Sequence, residues 1–168
     1  LNVTYTDTKG NVIQVDQLKQ GKDFIANITV TNKSDRKLDN IALSHIVPSG
    51  WEIHNARFDG ANTKNKVKLD YQDIRDDRIY SYFALKPGEQ KTISTLLNAA
   101  YLGTHYLPGI SAEAMYDATK NARLKGQWVK VVKILSKEKK DEKEQGKKEE
   151  EEETSEEDPV VEEKTEDE

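Results

Sequence analysis

The chain has 168 residues, 34% charged and 35% hydrophobic, with a mean hydropathy of −0.87, which is too polar for one uniformly packed body. The polarity is uneven: residues 136–168 hold 7 Lys and 17 Asp or Glu, a net of −10, which leaves the preceding 135 residues at +5. The acidic balance therefore belongs to a tail and says nothing about partners of the body, while the lack of Cys excludes a disulfide scaffold, a thiol nucleophile, a Cys-ligated metal and a thioester made by this stretch itself.

The chain opens at Leu1 rather than Met, inside a strand-like run, and reads as a piece of a longer protein. Phe24, Ala26, Ile28 and Val30 alternate with Ile25, Asn27, Thr29 and Thr31, the period of a half-buried strand. Asn32-Lys33-Ser34-Asp35 ends it, Ile41 to Val47 follows, and the turn Pro48-Ser49-Gly50 leads into Trp51-Glu52-Ile53. A hairpin is expected next, from Val67-Lys68-Leu69-Asp70-Tyr71 through Asp73 to Asp77 and back along Arg78 to Leu85. Lys86-Pro87-Gly88-Glu89 is a turn, and Gln90 to Tyr101 reads as a long strand. Tyr106-Leu107-Pro108-Gly109 breaks the chain before Ile110 to Tyr116, and Gln127 to Leu135 is the last strand. Asp117 to Arg123 is the best helical candidate, too short to stand without packing.

About eight short strands at roughly 8 to 15 residue spacing predict an all-β, two-sheet antiparallel, immunoglobulin-like sandwich over residues 1–135. Its expected core is Phe24, Ile28, Val30, Leu43, Trp51, Ile53, Tyr82, Ile93, Leu97 and Val131. Residues 136–168, with Val160 and Val161 as their only aliphatic residues, form an expected disordered, charged tail whose role is open between solvation, cation buffering and docking. No apolar run approaches the ~20 residues of a membrane-spanning helix.

The chemistry-bearing residues do not gather into a catalytic pattern. His45, His54 and His105 fall in different elements with no partner at helical or strand spacing, so ordinary packing is expected rather than a metal site. Asp70, Asp73, Asp76 and Asp77 lack the glycine and spaced Glu of a calcium loop and carry Arg75 and Arg78 as counter-charges. No nucleophile elbow, phosphate-cradling glycine loop or zinc-protease motif occurs, so no catalytic residue and no cofactor is expected. The body's lysines are dispersed with no aromatic strand motif, which argues against nucleic acid. The Asn-x-Ser/Thr sequons at Asn2, Asn27 and Asn32 are frequent by chance in such strands. Asp76, Asp77 and Arg78 are expected to close the hairpin, with local pairing favoured over contact with a neighbouring domain. Met115 and Tyr116 are the residues expected to carry function, as two large side chains at a strand end before the polar stretch Asp117 to Asn121. Met adapts to irregular surfaces and Tyr joins an apolar ring to a polar tip, which suits an inter-domain contact.

Four landmarks in order carry a resemblance: Pro48-Ser49-Gly50-Trp51-Glu52-Ile53, Asp73-Ile74-Arg75-Asp76-Asp77-Arg78, Tyr101 to Tyr106 leading into Leu107-Pro108, and Ala114-Met115-Tyr116-Asp117. Together, over roughly Gly21 to Val132, they resemble the last macroglobulin-like domain of bacterial alpha-2-macroglobulins. Ala118-Thr119 stands where a Pro often follows in that pattern, and the charged tail is not part of it. The resemblance implies a macroglobulin-like sandwich at the C-terminal end of a large envelope-associated protease trap, in the periplasm or on the cell surface, anchored through a distant N-terminus. In such a molecule a protease cuts a bait segment elsewhere, the body rearranges, and a thioester in a separate helical domain captures the protease. It further implies that Met115 and Tyr116, supported by Tyr106, lie over that thioester and shield it from water. Expected partners are thus neighbouring domains of the same chain, above all the thioester domain, and target proteases through the whole molecule. The competing reading is a generic adhesive or spacer module of a surface protein, which a Cys-x-Glu-Gln motif upstream or tandem copies of the domain would tell apart.

Overall fold

The computed structural model describes residues 1–54 and 67–134, and the expected acidic tail from Ser136 lies outside them. Twelve strands follow one another among the described residues: β1 (Asn2–Thr6), β2 (Gln17–Lys19), β3 (Asp23–Thr31), β4 (Leu38–Ile46), β5 (Trp51–Ile53), β6 (Tyr71–Ile74), β7 (Arg78–Leu85), β8 (Gln90–Ala99), β9 (Gly103–Leu107), β10 (Ser111–Ala114), β11 (Asp117–Arg123) and β12 (Gln127–Val132). They make an all-β open sandwich of three sheets, with strand orders β1-β3-β8-β5, β11-β10-β4-β7-β6 and β2-β12-β9.

The alternation of β3 positions everything else. Phe24, Ala26, Ile28 and Val30 all point into the core, and β8 pairs antiparallel along the whole strand from Asp23↔Asn98 to Thr31↔Gln90, adding Ile93 and Leu97 to the same face. This face is long enough to serve two opposing sheets. At one end Phe24, Trp51 and Leu97 meet Leu18, Leu107, Val129 and Val131 of the three-stranded sheet. At the other, Ile28, Val30 and Ile93 meet Ile41, Leu43, Phe83 and Leu85 of the five-stranded sheet. Edge-on ring contacts fix the first cluster, with the Phe24 and Trp51 centroids 4.9 Å apart.

Several expectations change. The third sheet is additional to the two expected, and its β2–β12 pair runs parallel (Lys130↔Gln17 to Val132↔Lys19). Strand β2 offers a single apolar residue, Leu18, and β9 buries only Leu107, after an exposed Gly103 and a half-buried His105, so neither shows an apolar phase in sequence. The hairpin's first strand is Tyr71–Ile74 rather than residues 67–71, and β8 stops at Ala99. Tyr82 is not core: Ile79, Ser81, Phe83 and Leu85 point inward, while Tyr82 lies outside against Tyr71 with ring centroids 5.9 Å apart. The polar Ser81 occupies an inward position, satisfied by the amide of Gln72 at 3.1 Å, and this interruption disguises the strand's phase. Ile53 is half-buried at the margin of the first cluster. Asp117 to Arg123 forms β11 rather than a helix, because β10 offers it an edge of backbone donors and acceptors while it has no apolar stripe to bury.

Candidate functional site

Strands β10 and β11 meet at a two-residue turn, Met115-Tyr116, with Ala114 paired to Asp117. Both side chains face solvent: Met115 is 54% exposed and Tyr116 85%. At a strand end only one of two neighbouring side chains need face the core; here neither does.

The turn is fastened at its base. The Met115 amide donates to the Asn40 carbonyl at 3.0 Å, and Asn40 holds the left-handed φ of 52° that the bulge between Leu38 and Ile41 imposes on β4. Asp117 accepts from the Thr119 hydroxyl and amide through one oxygen and from the Arg36 guanidinium at 2.7 Å through the other. The Thr119 hydroxyl first, with Arg36 and Lys120 nearby, holds the Asp117 carboxyl below its usual range. Glu113 pairs with Asn121 but Ala114 with Asp117, so residues 118–120 form a bulge within β11, closed by the Asn121 side-chain amide on the Ala118 carbonyl at 2.9 Å. Beside this base a cavity of about 470 Å³ opens between Leu38, Ala112, Ala114, Thr119 and Lys120.

Tyr106 is on β9, in another sheet, and its ring stands edge-on to Trp128 of β12 with centroids 5.4 Å apart. Trp128 was not anticipated as a surface residue; its place in the alternation Trp128-Val129-Lys130-Val131 puts it outward, 65% exposed. The pair lies on the outer face of the three-stranded sheet, and Gly126 makes room for it: a Cβ there would stand 2.5 Å from the Tyr106 hydroxyl and 2.7 Å from the Leu107 carbonyl oxygen.

Asp77 and Arg78 pair with each other at the β6–β7 turn, Nε to Oδ1 at 2.9 Å and the second guanidinium nitrogen to Oδ2 at 2.6 Å. This bond holds the Asp77 carboxyl below its usual range and pushes the Arg78 guanidinium up. The Asp77 carbonyl also receives the Val47 amide, tying the turn to the end of β4, and Asp76 is exposed at the tip.

The three histidines stay apart. His45 is buried on β4. His54 lies 3.7 Å from Asp23 on the surface. His105 Nε2–H donates to the Tyr101 carbonyl at 3.1 Å, which leaves Nδ1 to accept from the Ser49 hydroxyl at 3.1 Å. The ring lies so close over Gly50 that a Cβ there would come within 2.3 Å, so the histidine locks the Pro48-Ser49-Gly50 turn onto β9. Among the described residues no group of three or more His, Cys, Asp or Glu converges as a metal site would require, and no helix is long and apolar enough to cross a membrane.

A protein-family model described as the bacterial alpha-2-macroglobulin MG10 domain matches residues 1–118. The chain is 27% identical over 114 residues to the alpha-2-macroglobulin of Pasteurella multocida, covering 68% of this chain and 6% of that protein. It is 28% identical over 109 residues to that of Rickettsia conorii, covering 62% and 6%. The chain therefore spans about 6% of the length of these relatives. Among solved structures, Salmonella alpha-2-macroglobulin reacted with methylamine shares its fold with a TM-score of 0.68 at 22% identity, over 78% of this chain and 9% of that one. The native Escherichia coli alpha-2-macroglobulin from domain MG7 to the C-terminus does so with a TM-score of 0.67 at 19% identity, over 77% and 22%.

Proposed function

The chain belongs to the bacterial alpha-2-macroglobulin MG10 domain family, and from that premise we propose that it is a non-catalytic domain of an alpha-2-macroglobulin-like protease trap that holds and shields a thioester domain. The observation that carries this reading is the Met115-Tyr116 turn: two large side chains, 54% and 85% exposed, at the end of a hairpin whose base is fastened by Asn40, Arg36 and Thr119. An exposed Met and Tyr on a firm support suit the surface of another domain, and a domain that is about 6% of its relatives' length has neighbours to meet. A thioester open to solvent hydrolyses before it meets a target, so the work proposed for the tip is exclusion of water. Target proteases are reached only through the whole molecule, in the periplasm or at the cell surface, with anchoring through a distant N-terminus.

The reading is tested in the full-length protein with Met115 and Tyr116 both changed to Ala. Methylamine incorporation after storage should fall faster than in the parent, while the isolated chain keeps its melting temperature. Equal persistence of the thioester in the two proteins would exclude the shielding role.

A further inference from the structure

We propose that Arg36 is a positioning residue for the Met115-Tyr116 turn: through Asp117 it ties the turn to a buried asparagine, so that the tip is fixed in one presentation before any partner arrives. The inference rests on the reading of that turn as a contact surface, and its central residue, Arg36, is one that no motif singled out.

A two-residue turn at the end of an edge hairpin is ordinarily among the first places to fray. Here two connections lead from its base, and the second continues toward the core. Met115 N–H reaches the Asn40 carbonyl. Asp117, the residue directly after the tip, is held by the Arg36 guanidinium at 2.7 Å. Arg36 is itself held: its carbonyl accepts from the Asn32 amide at 2.8 Å and lies 3.0 Å from the Ser34 hydroxyl, whose one proton it shares with Asn32 Oδ1. Asn32 is 2% exposed, its amide also reaches the Leu85 and Lys86 carbonyls at 3.2 and 3.1 Å, and its Oδ1 accepts from the Ser34 amide and hydroxyl. A buried amide with all its hydrogen-bonding capacity engaged is a rigid anchor. The path thus runs from Asn32 through the backbone of Arg36, across its guanidinium to Asp117, and ends at the tip. The ion pair is its exposed link, with Arg36 and Asp117 side chains 63% and 31% accessible, so removing it loosens the tip while adding little to or subtracting little from the stability of the fold.

The test exploits Met115 as the chain's single methionine, whose labelled methyl carbon gives one NMR signal. R36Q should broaden that signal, move it toward the averaged position of a free Met, and speed chymotryptic cutting after Tyr116 about two- to fivefold, the range an exposed ion pair supplies. R36K keeps the charge and should behave as the parent, D117N should match R36Q because its Oδ1 can still serve Thr119, and the two changes together should do no more than either alone. The melting temperature should be unchanged throughout. A parent-like signal and cutting rate in R36Q, or equal disturbance by R36K, would overturn the positioning role. In the full-length protein, R36Q should also shorten thioester lifetime. If the tip loosens there and the lifetime does not change, the positioning role stands and the shielding reading fails.

Discussion

Along β4 and just past its end the inward positions run Leu43, His45, Val47, so a histidine stands between the two hydrophobic clusters. It is 1% exposed, and neither ring nitrogen has a hydrogen-bond partner among the described residues. Burial lowers its pKa from 6.5 to about 4, since a charged imidazolium would be left without solvent or a counter-charge. The unfolded chain therefore takes up a proton below about 6.5 that the folded chain refuses until about 4. Stability falls as pH drops through that window and levels off beneath it, a loss on the order of 3 kcal/mol. Urea unfolding from pH 7 to pH 4 should show this slope in the parent. His45→Leu, of similar volume and with no polar atom to strand, should flatten it and be the more stable protein at pH 5. A slope of equal size in the variant would assign it to other groups.

At the scale of elements, β9 and β12 are a pair whose fit depends on a missing side chain. Gly126→Ala would press a Cβ against the Tyr106 hydroxyl, which can swing away, and against the Leu107 carbonyl oxygen, which cannot. We expect a loss of about 1–3 kcal/mol in chemical denaturation, and unchanged stability would mean the two strands can move apart freely. Strand β3 was legible because its apolar residues alternate without interruption, β8 because Thr, Ile and Leu dominate it although the polar Thr95 takes an inward position, and β5 because a proline and glycine turn precedes it. The phase of β7 was hidden by Ser81, whose partner Gln72 is known only once β6 is in register. Strand β2 was invisible since three residues with one leucine carry no periodicity. The turn proposed as a contact surface was legible by residue type alone: a Met and a Tyr together ahead of a polar stretch. Its fastening was not, because Arg36 and Asp117 are 81 residues apart and nothing in either local sequence points to the other. Nor did the pairing of Tyr106 with Trp128 show itself, since it needs the third sheet.

For the whole molecule, the described residues form two clusters under one shared sheet, and neither draws on residues beyond Val131. Residues 136–168 supply 24 charges and two aliphatic side chains, too little apolar area to contribute to a core. Deleting them should leave the melting temperature nearly unchanged; a drop of many degrees would give the tail a structural part. The parallel pairing of β2 with β12 has a different consequence, one of order in time. Residues 17–19 and 130–132 are joined directly, so the chain must close a loop of nearly its whole folded length before the sheet exists, and such distant pairings are slow. During synthesis β1, β3 and β8 can find one another early, yet the cluster around Phe24 and Trp51 stays without Val129 and Val131 until the last strand emerges. The family match ends at residue 118, short of that strand: a chain cut there would retain the Met115-Tyr116 turn and lack the strand that closes the core at the other end of the sandwich.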